Sequence, residues 1–403
     1  MMNGVHQVYS EVNNISQESH TIRPKHDINN NGLRSCINAK NSDSELFFDR
    51  LPNEIVAKML SYLPMQDLLR VSGTTPVFEA EARRVLKLLD GKNKAEVIFQ
   101  MVAGGDVSAL RTLDGLGEPL GGIIDLETGN TLLHGAINAN SASVMDYLLK
   151  VEGVNVNAIN RAGLTPLIMA VKKGQCLEVN ALLNRTGIEI NKSYNAVNSN
   201  GNNRSYGEMD FIFHLLEEDA AGSTALHFAV HGGDFDILDL ICRNGMTDID
   251  AVDYYGNTAL MKAIIKKENG MVRRMLAGND MAWYQNNHKG GLLLHIAIIR
   301  DNIDILPDLL GKNIDVNRCD GQGNTALHFA VLRGSWEAAR LLLSCPGINI
   351  DAQNSGEWSA HKMALSRGNT RVARLIEESA ARQHKGRVPV EQGKCAQHEY
   401  FSH

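Results

Sequence analysis

The sequence predicts an all-α chain, a short helical segment followed by a solenoid of helix–turn–helix repeats. Three observations predict it. One phrase returns seven times at a nearly constant interval. After each return comes a short apolar stretch at helical spacing and then a second one. The composition is rich in Leu and Ala, with 43% hydrophobic but only 5% aromatic residues, which suits helices better than a β-sandwich.

In chain order, residues 1–43 are rich in Asn, Ser, His and Gln and poor in apolar side chains. Such a stretch cannot bury enough surface to offset its ordering entropy, so disorder is expected. The opening Met1–His6 has no basic stretch leading into an apolar core, and no secretory signal is expected.

Residues 44–90 read as a helical unit. Pro52 suits a first helical turn, and Ile55, Met59, Leu60 and Leu63 follow at helical spacing. Pro64 stops that helix, and Gln66 or Asp67 opens a second one carrying Leu68, Leu69 and Val71. The pieces Leu51-Pro52-Asn53-Glu54-Ile55, Met59-Leu60-Ser61-Tyr62-Leu63 and Asp67-Leu68-Leu69-Arg70-Val71-Ser72 resemble, in order and spacing, the F-box, a three-helix motif. One departure is Phe78 where that family has a Trp; Thr74 and Thr75 also differ. The resemblance implies binding to a Skp-type linker protein that bridges to a cullin ligase. It implies that Leu51, Pro52, Ile55, Leu60, Leu63, Leu68, Leu69 and Val71 line that contact or support it. Physical reasoning agrees: three short helices cannot bury so many leucines, and an exposed apolar cluster marks an interface. Two alternatives stand, a segment that only caps the array and a box that docks its linker without assembling a ligase.

From about 95 to 382 the repeats take over. The phrase is clearest at Gly129-Asn130-Thr131-Leu132-Leu133-His134, Gly222-Ser223-Thr224-Ala225-Leu226-His227 and Gly323-Asn324-Thr325-Ala326-Leu327-His328. Weaker copies start at Gly163, Gly256 and Gly290, and a final copy has Glu357 in the Gly slot. The steps are 34, 59, 34, 34, 33 and 34, so the long one hides an insertion of 25 residues near 193–219. Gly serves a turn, and Thr131, Thr165, Thr224, Thr258 and Thr325 sit where a helix needs an N-cap hydroxyl. Each helix pair has one apolar face that only its neighbours can cover. This pattern is similar to the ankyrin repeat, whose period and T-P-L-H phrase it matches. The resemblance implies helix pairs joined by short β-hairpin fingers, and a degenerate first copy at Gly104-Gly105-Asp106 with Leu110 and Leu113. Residues 383–403 are expected to be a flexible tail.

Several chemistries find no support in the sequence. The net charge of −6 argues against general nucleic-acid affinity. The six cysteines are scattered, which suits a reducing cytosol and unpaired thiols. No apolar run is long enough to span a membrane. His134, His227, His295 and His328 recur once per repeat, but family stacking sets them roughly 10 Å apart, against metal–ligand bonds of about 2 Å. They are expected to make structural hydrogen bonds at the turn. The glycines from Gly115 to Gly122 lack a phosphate-loop ending. Neither a catalytic constellation nor a cofactor motif stands out, so an enzyme is not expected.

Two features point to target binding. Lys173, Lys266, Arg300, Arg333 and Arg367 share one slot, which in the ankyrin family lies at the end of the inner helix beside the groove. Such a row attracts an acidic segment, although cations in this slot are also ordinary solvated surface. Aromatic residues at or near the finger tips, Tyr254, Tyr255, Trp283, Tyr284, His288 and Trp358, are the second candidate zone. The expectation is a cytosolic, non-enzymatic adaptor that joins a Skp-type linker to a target protein; the alternative is a scaffold that sequesters or localises a partner. An F-box preceding ankyrin repeats resembles effectors that intracellular bacteria secrete into the host cytosol, more than it resembles poxvirus ankyrin proteins; an ordinary eukaryotic protein is also consistent.

Overall fold

The computed structural model describes residues 69, 76–88, 91–194, 221–277, 292–312 and 314–384. Seventeen α-helices cover them, and the extended pairing among the described residues consists of four isolated bridges. Two compact units are present. The first runs to Met169 and includes Asn184–Ile188; the second comprises Ala170–Leu183 and continues from Glu189.

In the first unit α1 (Pro76–Leu88) precedes α2 (Gly91–Ala103) and α3 (Val107–Gly115), which pack as a pair. Ile98, Met101 and Val102 of α2 are buried, and α2 also packs on α4 (Leu132–Asn138). α4 pairs in turn with α5 (Ala142–Leu148). Asp106 caps α3 by accepting from Ala109 N at 3.1 Å, and Gly105 before it takes φ +71°. α2 and α3 thus form a helix pair with a positive-φ glycine in the turn between them.

α6 (Pro166–Lys172) crosses from one unit to the other, followed by α7 (Cys176–Leu183). The second unit then stacks its repeats in order. Its pairs are α8 (Ala225–Gly232) with α9 (Phe235–Arg243), and α10 (Ala259–Lys266) with α11 (Asn269–Ala277). They continue as α12 (Leu293–Ile299) with α13 (Leu306–Leu310), α14 (Ala326–Arg333) with α15 (Trp336–Leu343), and α16 (Ala360–Ser366) with α17 (Thr370–His384). Inner helices α8, α10, α12, α14 and α16 pack each on the next, and the outer helices do the same, except that α11 meets the 3-10 turn Ile303–Ile305 ahead of α13. One stripe of each outer helix is buried, as in Ala338, Ala339, Leu342 and Leu343 of α15. On α17 only Val372, Ala373, Ile376 and Ser379 are buried, leaving a polar outer face at the end of the described array.

The expected β-hairpin fingers are short. Four of the described fingers close with a single antiparallel bridge, such as Val252 to Thr258 or Cys319 to Thr325. A side chain replaces the ladder: Asp320 Oδ1 accepts from the N–H groups of Gln322 (2.9 Å) and Asn324 (2.7 Å). Asn160 and Asn354 do the same in their own fingers. This is an Asx turn, which satisfies the backbone locally and leaves too few residues for paired strands. Neighbouring fingers join through one backbone bond, Tyr254 N to Ala221 O (2.7 Å) and Ser355 N to Gln322 O (2.8 Å). The close approach explains the leading glycine. At Gly222, φ is +84° and a Cβ would lie 2.8 Å from Tyr254 N. Glu357 also takes positive φ (+57°), and no described finger follows it, so its side chain is accommodated.

Candidate functional site

The expected capping is present and is shared with the histidines. Thr224 opens α8, and its backbone N–H donates to His227 Nδ1 at 3.2 Å while its hydroxyl lies 3.0 Å from the same nitrogen. The ring's other nitrogen, Nε2, donates to Asn257 O of the next finger at 2.9 Å. Thr131 with His134 and Thr325 with His328 repeat the arrangement, reaching Leu164 O at 3.0 Å and Trp358 O at 2.9 Å. Burial lowers the pKa of all four ring histidines, to about 4 for His227 and His295, so the rings are neutral at pH 7. They join one repeat to the next. Among the described residues no group of three His, Cys, Asp or Glu is arranged as metal ligands.

α10 uses other residues in the same place. Met261 occupies the His slot and Lys262 follows it, where α8 and α14 carry Phe228 and Phe329. Lys262 Nζ pairs with Asp253 Oδ2 at 2.9 Å, and Asp253 is fully buried. Asp253 also accepts from Asn257 N at 2.8 Å.

The cation row divides on structural grounds. Lys266 is committed within the chain: its Nζ donates to His231 O at 2.6 Å and lies 3.2 Å from His231 Nδ1. Lys173 lies just after α6 and is exposed, and Lys172 beside it sits 5.0 Å from the Phe228 ring centroid. Arg300 caps α12, Arg333 ends α14 and Arg367 caps α16, bringing three cations to the ends of three adjacent inner helices. Among the aromatic candidates, Tyr254 and Tyr255 share a finger tip and meet edge to face at 5.8 Å. Trp358 lies on the last finger with Lys362 Nζ 4.9 Å from its ring centre. Trp283, Tyr284 and His288 lie outside the described residues, as do Leu51, Pro52, Ile55, Leu60, Leu63, Leu68 and Val71. Leu69 is helical and fully buried.

A patch that the sequence reading missed lies on the outer helices, where Arg371 of α17 stacks 3.8 Å from the centre of the Trp336 ring of α15. The two residues are 35 positions apart, close to one repeat, so the period places them in register. Cys176, Cys242 and Cys345 are free, and burial raises their thiol pKa values. Cys319 Sγ lies 3.4 Å from Asn317 O. No described helix is long and apolar enough to cross a membrane.

The family model described as Ankyrin repeats (3 copies) matches residues 93–194, 203–282, 266–354 and 294–390. The chain is 30% identical over 156 residues to the I-Kappa-B like protein C2 of Microplitis demolitor bracovirus, covering 38% of this chain and 76% of that protein. It is 24% identical over 348 residues to the E3 ubiquitin-protein ligase KEG of Arabidopsis thaliana, and 27% identical over 227 residues to mouse Rabankyrin-5. Those matches take in 74% and 53% of this chain but only 19% and 17% of the relatives' own lengths. Among solved structures, the ankyrin repeat domain of Bcl-3 matches with a TM-score of 0.40 at 22% identity, over 69% of this chain and 96% of that one.

Proposed function

The chain belongs to the ankyrin-repeat family, and from that premise we propose that it is a substrate-recruiting adaptor of a Skp–cullin–F-box type ubiquitin ligase. The array holds a target protein, the 44–90 segment engages the Skp-type linker, and other subunits transfer ubiquitin. Proximity is then the whole contribution of this chain. The observation that carries the reading is the ordered F-box phrase directly ahead of a repeat array built for protein recognition. Similarity to a plant protein named as an E3 ubiquitin-protein ligase adds support. Leu69, being buried, fits support of the contact rather than its surface. The order of the two modules supports action as a secreted bacterial effector in a host cytosol.

The second reading is a scaffold that sequesters or localises a partner without a ligase. It is favoured by α1, where Arg83 Nη1 donates to Leu116 O at 2.9 Å, tying the end of the 44–90 segment to the first repeat. A pull-down of the full chain with a purified Skp-type linker separates the two. Capture by the wild type, lost in a Leu51→Ala, Pro52→Ala double variant, is the expected result. No capture by the wild type leaves the scaffold.

A further inference from the structure

The ends of α12, α14 and α16 combine two properties. The guanidinium groups of Arg300, Arg333 and Arg367 have no hydrogen-bond or ion-pair partner among the described residues, in contrast to the Lys266 ammonium one repeat earlier. Directly before Arg300 and Arg333 stands a large apolar side chain left partly open, the half-buried Ile299 and Leu332, while Ser366 takes that slot before Arg367. The helix ends are tied together, as where Asn369 Nδ2 donates to Val331 O at 2.9 Å. A cation at a helix C-terminus also complements the macrodipole, but that accounts for the arginines and not for the open apolar partners. The carboxylate nearest in sequence is Asp301, directly after Arg300.

Resting on the reading of the array as the target-binding element, we propose that this face takes an extended acidic segment of a partner protein. That segment is in a polyproline-II conformation, with a carboxylate at every third position and apolar side chains between. The spacing selects this occupant. Packed helices lie about 8–10 Å apart, so the arginines step by roughly that distance. A polyproline-II chain rises about 3.1 Å per residue with three residues per turn, returning every third side chain to one face about 9 Å further on. In a β-strand, whose side chains alternate, same-face positions fall about 6.6 or 13 Å apart. An α-helix matches only at every seventh residue, about 10.5 Å, leaving six side chains between contacts. Apolar residues between the carboxylates meet Ile299 and Leu332.

The test is fluorescence anisotropy of the full chain with a labelled peptide of consecutive Glu-Pro-Leu triplets. Comparators are a peptide of the same composition with its glutamates contiguous, one with Lys for Glu, and an Ala-rich helical peptide with Glu at every seventh position. The triplet peptide is expected to bind at least about tenfold more tightly than any comparator, and more weakly as salt rises. An Arg333→Glu, Arg367→Glu double variant, with an unchanged thermal melt, is expected to lose at least about tenfold in affinity. If that variant unfolds, Arg333→Gln with Arg367→Gln replaces it. Absence of binding, equal binding of the contiguous or helical peptide, or full binding by a folded arginine variant overturns the proposal. Linker capture through residues 44–90 is read separately, so a failed peptide with intact capture removes only this inference.

Discussion

At α8 the His227 ring is fixed at both nitrogens, by Thr224 on one side and Asn257 O on the other. At α12 the His295 ring holds only its Nε2 bond, to Asn324 O at 3.1 Å. Its Nδ1 is buried without a partner, because Leu292 stands where the other three histidine-bearing repeats have Thr. Between them, α10 lacks the histidine and contains the buried Lys262–Asp253 pair. Three adjacent repeats thus reach the same helix pair by a complete pin, a half pin and an ion pair. Backbone geometry follows from the shared phrase, whereas stability follows from which polar groups are satisfied.

The difference is sharpest at α10. Lys262→Ala leaves a buried carboxylate without its cation and is expected to cost about 3–5 kcal/mol in chemical denaturation. Lys262→Phe, which installs the residue found in α8 and α14, is expected to recover part of that loss. A cost below about 1 kcal/mol for Lys262→Ala would show the pair to be energetically idle. His227→Ala is next, at about 2–3 kcal/mol, and His295→Ala is expected to cost about 1 kcal/mol less, the worth of the missing Thr bond. Equal losses would remove the distinction between complete and half pins.

Proton linkage tests the same comparison. The folded rings of His227 and His295 titrate at about 4, against an ordinary 6.5. The unfolded chain therefore takes up protons first, so stability is complete above pH 6.5 and is lost as pH falls toward 4. Asp250 opposes this. Burial, and then the carboxylate of Asp248, push its pKa up to about 7, and its buried Oδ1 has no hydrogen-bond partner. Three other repeats carry Asn in this slot, and the amides of Asn157, Asn191 and Asn317 donate to the following repeat. The native Asp250 carboxyl holds its proton while the unfolded one ionises near 3.8, so this group lowers stability as pH rises from 3.8 to about 7. Asp250→Asn is expected to raise the melting temperature at pH 8 and steepen the acid loss. A melt at pH 8 no higher than the wild type would contradict that assignment. The smallest effect is Leu292→Thr, expected to add roughly 0.5–1 kcal/mol by capping α12 and engaging His295.

The features legible in the sequence are those set by residues close together. Gly222 and Thr224 announce the turn and the cap because both act within a few positions, and the turn role of His227 follows from the same phrase. Bonds between repeats were less visible. Lys266 shares its slot with Arg333, yet His231 engages the lysine and leaves no counterpart at the arginine. That depends on which residue the preceding repeat offers, not on the slot. Leu365 fills the slot of the buried Ile298 and Val331, and its exposure follows from its place in the last inner helix described. For the fingers, the period marks where they fall but not how Asx side chains satisfy them.

The adaptor account is tested most directly by amide hydrogen exchange on the full chain, alone and with a saturating Skp-type linker. The account predicts new protection confined to residues 44–90, with exchange across 93–390 unchanged. Protection gained in the array instead, or nowhere, contradicts it.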